Sequence, residues 1–97
     1  MIEELRSEID EIDEKIVELL NRRARSALKI GRLKNEKDRD VTDRQREANV
    51  LAQIKRWNAG PFADDQLARI YRRIISESKD IQLEVDADDS RDEAGGN

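Results

Sequence analysis

Neither cysteine nor histidine occurs among the 97 residues. The first absence excludes disulfides and thiolate metal sites. The second removes the commonest general base, the usual zinc ligand and every Ser-His or Cys-His nucleophile pair. Aromatic residues are scarce, with one Trp, one Tyr and one Phe, so a compact monomer has few large side chains to bury. No Gly-rich phosphate loop, internal repeat or strand-like alternation is found. The N-terminus is acidic and amphipathic, without an apolar run resembling a signal peptide or a membrane span. A cytoplasmic protein that does not engage a membrane is therefore expected.

What is present is charge, at 43% of residues, together with abundant Leu, Ile and Ala. This composition favours long helices, and helices this polar associate with a partner chain. The length suits one domain near the lower limit of what a single core stabilises. The net charge of −4 is unevenly spread. Residues 1–19 hold eight acids and two bases, whereas residues 20–46 hold ten bases and four acids. Residues 84–97 hold six acids and one Arg and end in Gly-Gly-Asn. That segment reads as a solvated, disordered tail or linker, which leaves residues 1–83 as the helical domain.

The fold class expected is all-α, with three helices per chain. Leu5, Ile9, Ile12, Ile16 and Leu19 follow a 4-3-4-3 spacing that lays one side of a helix against a partner. With no Pro and no clear stop before the polar run "NEKDRD", the first helix is predicted from about Ile2 to about Lys37. At ~1.5 Å per residue it spans about 50 Å, too long for the rest of the chain to cover, so a second copy must do so. Gly31 inside it signals either tolerance or close backbone approach by a ligand or helix. Thr42 or Asp43 in "DVTDRQRE" is the expected N-cap of a second helix carrying Val50, Leu51, Ile54 and Trp57, which stops at "NAGP". Asp64 or Asp65 is the expected cap of a third, which carries Leu67, Ile70, Tyr71, Ile74, Ile75 and Ile81.

Each inward stripe turns polar over part of its length. Beyond Leu19 the first seam continues to Arg23, Ala27, Ile30 and Lys34. The second, traced back from Trp57, reaches Glu47 and Asp43, with Arg46 adjoining. On the third, Tyr71, Ile75, Ser78 and Gln82 keep the same rhythm. A single seam cation can snorkel, and a single seam amide can set register. Three helices doing so together call for another account, because unpaired buried charge costs several kcal/mol per group. The simplest is a polar cavity filled by an anionic ligand. Arg23 and Lys34 are about 16 Å apart along the helix and can converge on a small ligand between them. Arg6 lies about 25 Å from Arg23 and reaches the same site only from a second, antiparallel chain.

These residues carry a resemblance to the all-helical chorismate mutases, covering about residues 4–83. The matching pieces are "LRSEIDEIDEKIVELLNRR", "IGRLK", "VTDRQRE", "NAGPF" and "IYRRIISESKDIQ" in that order. The resemblance implies an intertwined homodimeric helical bundle with two active sites. It implies conversion of chorismate to prephenate by a Claisen rearrangement on the way to Phe and Tyr. Arg6, donated from the partner chain, and Arg23 would bind the substrate carboxylates. Lys34 and Gln82 would hydrogen-bond the ether oxygen of the breaking bond. Asp43 and Glu47 would lie beside the ring hydroxyl, with Glu47 accepting from it, and Arg46 and Ser78 would complete the lining. Such a pericyclic reaction needs no nucleophile, metal or cofactor, so none is expected.

Three other readings fit part of the pattern. An isochorismate pyruvate lyase shares the fold and much of the site, and Glu47 with Gln82 leans towards the mutase. A non-catalytic helical dimerisation module treats the seam polar residues as register-setting. Nucleic-acid binding through residues 20–46 is disfavoured, because the bases are interleaved around the helix, stacking aromatics are absent and the chain is acidic.

Overall fold

The computed structural model describes the backbone of residues 1–33 and 36–95, and the side chains of residues 1–33 and 44–84. The described chain is three helices: α1 (Ile2–Leu33), α2 (Glu36–Trp57) and α3 (Asp64–Gly95). No strand occurs among the described residues. None of the helices is long and apolar enough to cross a membrane.

α1 opens with Glu3 and Glu4 and has Arg32 in its last turn, charges of the sign that the two ends of the helix dipole favour. Its 32 residues extend about 48 Å. The described part of α1 reaches Leu33, and α2 is described from Glu36. Thr42 and Asp43 therefore lie inside α2 rather than capping it. The charged run read as a stop holds neither Gly nor Pro, and Glu, Lys and Arg are good helix formers, so most of it joins the second helix.

The reversal between α2 and α3 is built by Asn58. Its Nδ2 donates to the Phe62 carbonyl at 2.9 Å and to Asp64 Oδ1 at 2.8 Å, and its Oδ1 accepts from the Gly60 amide at 2.9 Å. Gly60 takes φ +80, a left-handed conformation that glycine adopts without a Cβ clash. The cap of α3 is Ala63 and not either aspartate. The Ala63 carbonyl accepts from the amides of Gln66 and Leu67, while the Gln66 side chain reaches back to accept from the Ala63 amide at 2.8 Å. This is the glutamine half of a capping box, with Asp64 displaced to the first helical position. Downstream of Pro61 the first residue of helix-breaking type is Gly95, and the α3 backbone runs to that point, through the segment set apart above as a tail.

α3 packs against both α1 and α2. Only Ile54 of α2 and Ala68 of α3 are buried apolar residues among those described. By contrast, Leu5, Ile9, Ile12, Ile16 and Leu19 are 45–56% exposed, and the molecule is 61 × 29 × 16 Å. On α1 the face covered by the chain itself comprises Arg23, Ala24, Ala27, Leu28 and Gly31. At 3.6 residues per turn that patch is centred roughly 70° around the helix from the Leu5–Leu19 seam. Ile30, 52% exposed, stays with the open seam. The long helix thus has two working faces, one closed by α3 and one open.

Candidate functional site

Two of the polar positions meet other helices along α3: Gln82 lies against α1 at Gly31, and Glu47 of α2 reaches α3. Arg23 comes to the edge of the closed α1 face because it follows Leu19 by one turn, and it is half-buried. Two turns on, Gly31 is buried and faces the side chain of Gln82 on α3. Between the two readings of Gly31, close approach by a helix is the one realised.

Gln82 is half-buried as a residue, but its Nε2 is buried and donates to no described residue. A buried amide N–H without an acceptor costs about 1–3 kcal/mol. Native interiors seldom carry such a group without a use for it.

Glu47 projects from α2 and pairs with the Lys79 ammonium of α3. Both side chains are partly exposed, at 33% for Glu47 and 51% for Lys79. Lys79 was not among the candidates from the sequence. The signal was available, because Ile75, Lys79 and Gln82 share one face at helical spacing and Lys79 adjoins Ser78. Ser78 is half-buried, and its hydroxyl donates to the Ile74 carbonyl one turn back at 2.9 Å. Its proton is therefore spent on the helix, and its oxygen remains able to accept.

The other candidates are not brought together within one chain. Arg46 is exposed on α2. Arg6 is exposed in the second turn of α1, beside the open seam and about 25 Å from Arg23. Asp43 lies on the α2 backbone one turn before Glu47, and its side chain is outside the described residues. Lys34 also lies outside the described residues. One chain thus supplies a cation at Arg23, an amide donor at Gln82, and a carboxylate at Glu47 held by Lys79.

The family model for chorismate mutase type II matches residues 5–83, which include every candidate named above. The chain belongs to the type II chorismate mutase family. Similar proteins include the bifunctional chorismate mutase/prephenate dehydratase of Aquifex aeolicus, 38% identical over 88 residues, covering 87% of this chain and 24% of that protein. The proteins of the same name from Neisseria gonorrhoeae and Pseudomonas aeruginosa are 43% and 42% identical, each over 74% of this chain and over 19% and 21% of their own lengths. The chain thus spans about a quarter or less of the curated relatives it matches. No solved structure matches it. The match to the type II chorismate mutases ends at Leu83, one residue beyond Gln82.

Proposed function

We propose that this chain is a cytoplasmic chorismate mutase that rearranges chorismate to prephenate in aromatic amino-acid biosynthesis, working as an intertwined homodimer. Membership of the type II family supports the activity, and the observation that carries the site is the buried, unspent Nε2 donor of Gln82. The open Leu5–Leu19 seam supports the dimer. Covering the remaining half of five such side chains is worth on the order of 5 kcal/mol. Residues 1–83 form the catalytic domain in this reading, and residues 84–97 a tail or linker.

The reaction is an internal exchange of bonds. One C–O bond of the enol ether breaks as one C–C bond forms, and no proton enters or leaves. The protein has two tasks: to hold a flexible dianion in a compact, chair-like conformer, and to place donors where negative charge grows on the ether oxygen. Arg23 and the partner subunit's Arg6 take the carboxylates, a role for which the planar guanidinium fork is suited. Fixing the reactive conformer removes entropy from the barrier in advance. Gln82 and Lys34 donate to the ether oxygen. Preorganised donors of this kind are worth roughly 3–4 kcal/mol each when removed from comparable sites. Glu47, oriented by Lys79, accepts from the ring hydroxyl with Asp43 beside it, and Arg46 and Ser78 complete the lining.

The test is to incubate purified protein with chorismate, follow its disappearance and identify the product. Prephenate formation, reduced by orders of magnitude in Lys34→Ala with helicity retained, is the expected result. Salicylate from isochorismate without prephenate from chorismate would establish the lyase instead. Failure to consume either substrate would leave a dimerisation module.

A further inference from the structure

We infer that Gly31 is a positioning residue for Gln82: the hydrogen in place of a side chain leaves a slot in α1 that holds the Gln82 amide in a single place. The inference rests on the mutase reading for the task of that amide, but its geometry stands apart from it. Gly31 is buried in the last turn of α1, at the contact with α3. An ideal Cβ built on it would lie 2.5 Å from Gln82 Cδ and nearer still to Oε1 and Nε2. Carbon atoms in van der Waals contact sit at about 3.5–4.0 Å, so no other residue type fits while the amide stays where it is. Gln82 ends in a broad two-fold torsion that does not by itself fix the plane of its amide. Its Nε2 makes no hydrogen bond to a described residue. The Gly31 backbone is therefore a wall of the slot that determines where the Nε2 protons point.

Two roles for Gly31 make opposite predictions. Were it merely tolerated, Gly31→Ala would strengthen the helix, since Ala is the better helix former, and would leave the reaction untouched. In the slot reading, the added methyl expels the amide. The overlapping atoms are the mobile end of a long side chain, so the main effect falls on where Gln82 points.

The experiment uses the full chain with 15N-labelled glutamine side chains. The Gln82 amide resonance is assigned by its loss in Gln82→Ala. In the wild type it is expected to exchange slowly with solvent. In Gly31→Ala it is expected to move and to exchange like an exposed amide. In parallel, Gly31→Ala is expected to lower kcat tenfold or more with KM within threefold of wild type. Adding Gly31→Ala to Gln82→Ala should lower kcat no further. A Gly31→Ala chain that fails to fold while the Gly31→Ala/Gln82→Ala chain folds also supports the slot, because only the glutamine side chain differs. Retention of the slowly exchanging resonance in Gly31→Ala, an unchanged kcat, or failure of both chains to fold would overturn it. A wild-type protein with no mutase activity would sink the proposed function instead, and the resonance would still report on the slot.

Discussion

Lys79 of α3 pairs with Glu47 of α2, fixing a candidate site carboxylate from the helix that also carries Ser78 and Gln82. The pair bridges two helices and is half in solvent, so its worth lies in orientation more than in stability. An exposed ion pair contributes about 0–1 kcal/mol. Lys79→Met is accordingly expected to shift the melting midpoint by less than about 8 °C, the most that such an energy moves a domain of this size. The same change should raise the KM for chorismate roughly three- to tenfold, with Lys79→Arg restoring it. Thermal melts and steady-state kinetics of the two variants check this. A loss of stability with unchanged KM would make Lys79 a structural residue only.

Ile12 lies mid-way along the open seam of α1 and is 49% exposed. A second copy laid along that seam would bury it, and an aspartate there would place an unpaired charge in the interface at a cost of several kcal/mol. Sedimentation should find the wild type dimeric, with a melting midpoint that rises with concentration. Ile12→Asp should be monomeric and lower in helicity. A wild-type monomer with a concentration-independent midpoint would remove the partner chain from which Arg6 is proposed to come.

The helices were legible in the sequence because their apolar spacing is regular and Gly60-Pro61 marks the α2–α3 reversal. Their limits were less so. Asp64 looks like a cap by residue type, yet Gln66 closes the box on Ala63, a choice set by the Asn58 turn and not by local preference. The start of α2 lies earlier than Thr42 or Asp43, because the charged run before them holds residue types that a helix tolerates. Among the candidate site residues, the half-buried positions of Arg23 and Gln82 followed from register alone. Lys79 was missed because a lysine on a polar helix face is usually solvated, and only the position of α2 shows that it meets Glu47. Gly31 could be narrowed to two meanings, and the choice between them needed α3.

Arg6 and Arg23 are too far apart along α1 to serve one ligand from one chain, about 25 Å at the helical rise. In a two-fold dimer each site would combine Arg23 of one chain with Arg6 of the other. Arg6→Ala and Arg23→Ala should each be nearly inactive alone. Unfolded together at equal concentrations and refolded, half of the dimers are mixed, and each mixed dimer has one site with both arginines. Activity should return to about one quarter of wild type, as random pairing in a two-fold dimer requires. No recovery, with mixed dimers verified by mass, would place Arg6 outside the partner's site.

Gln82 gives a prediction in pH. An amide donates whatever the pH, so a wild-type reaction that relies on the Gln82 Nε2 proton should show no steep fall in kcat from neutral to mildly alkaline solution. A carboxyl at the same place donates only while protonated. In Gln82→Glu the donor is present below the titration of the carboxyl and is lost as pH rises through it. Its kcat should therefore be highest in acid and should fall about tenfold per unit on the alkaline side, until the rate is carried by Lys34 and the arginines alone. Crossing the two profiles isolates the donor, since all other groups in the site are unchanged. A pH-independent Gln82→Glu enzyme, or a wild type whose kcat falls steeply over the same range, would mean that the ether oxygen does not take its hydrogen bond from residue 82.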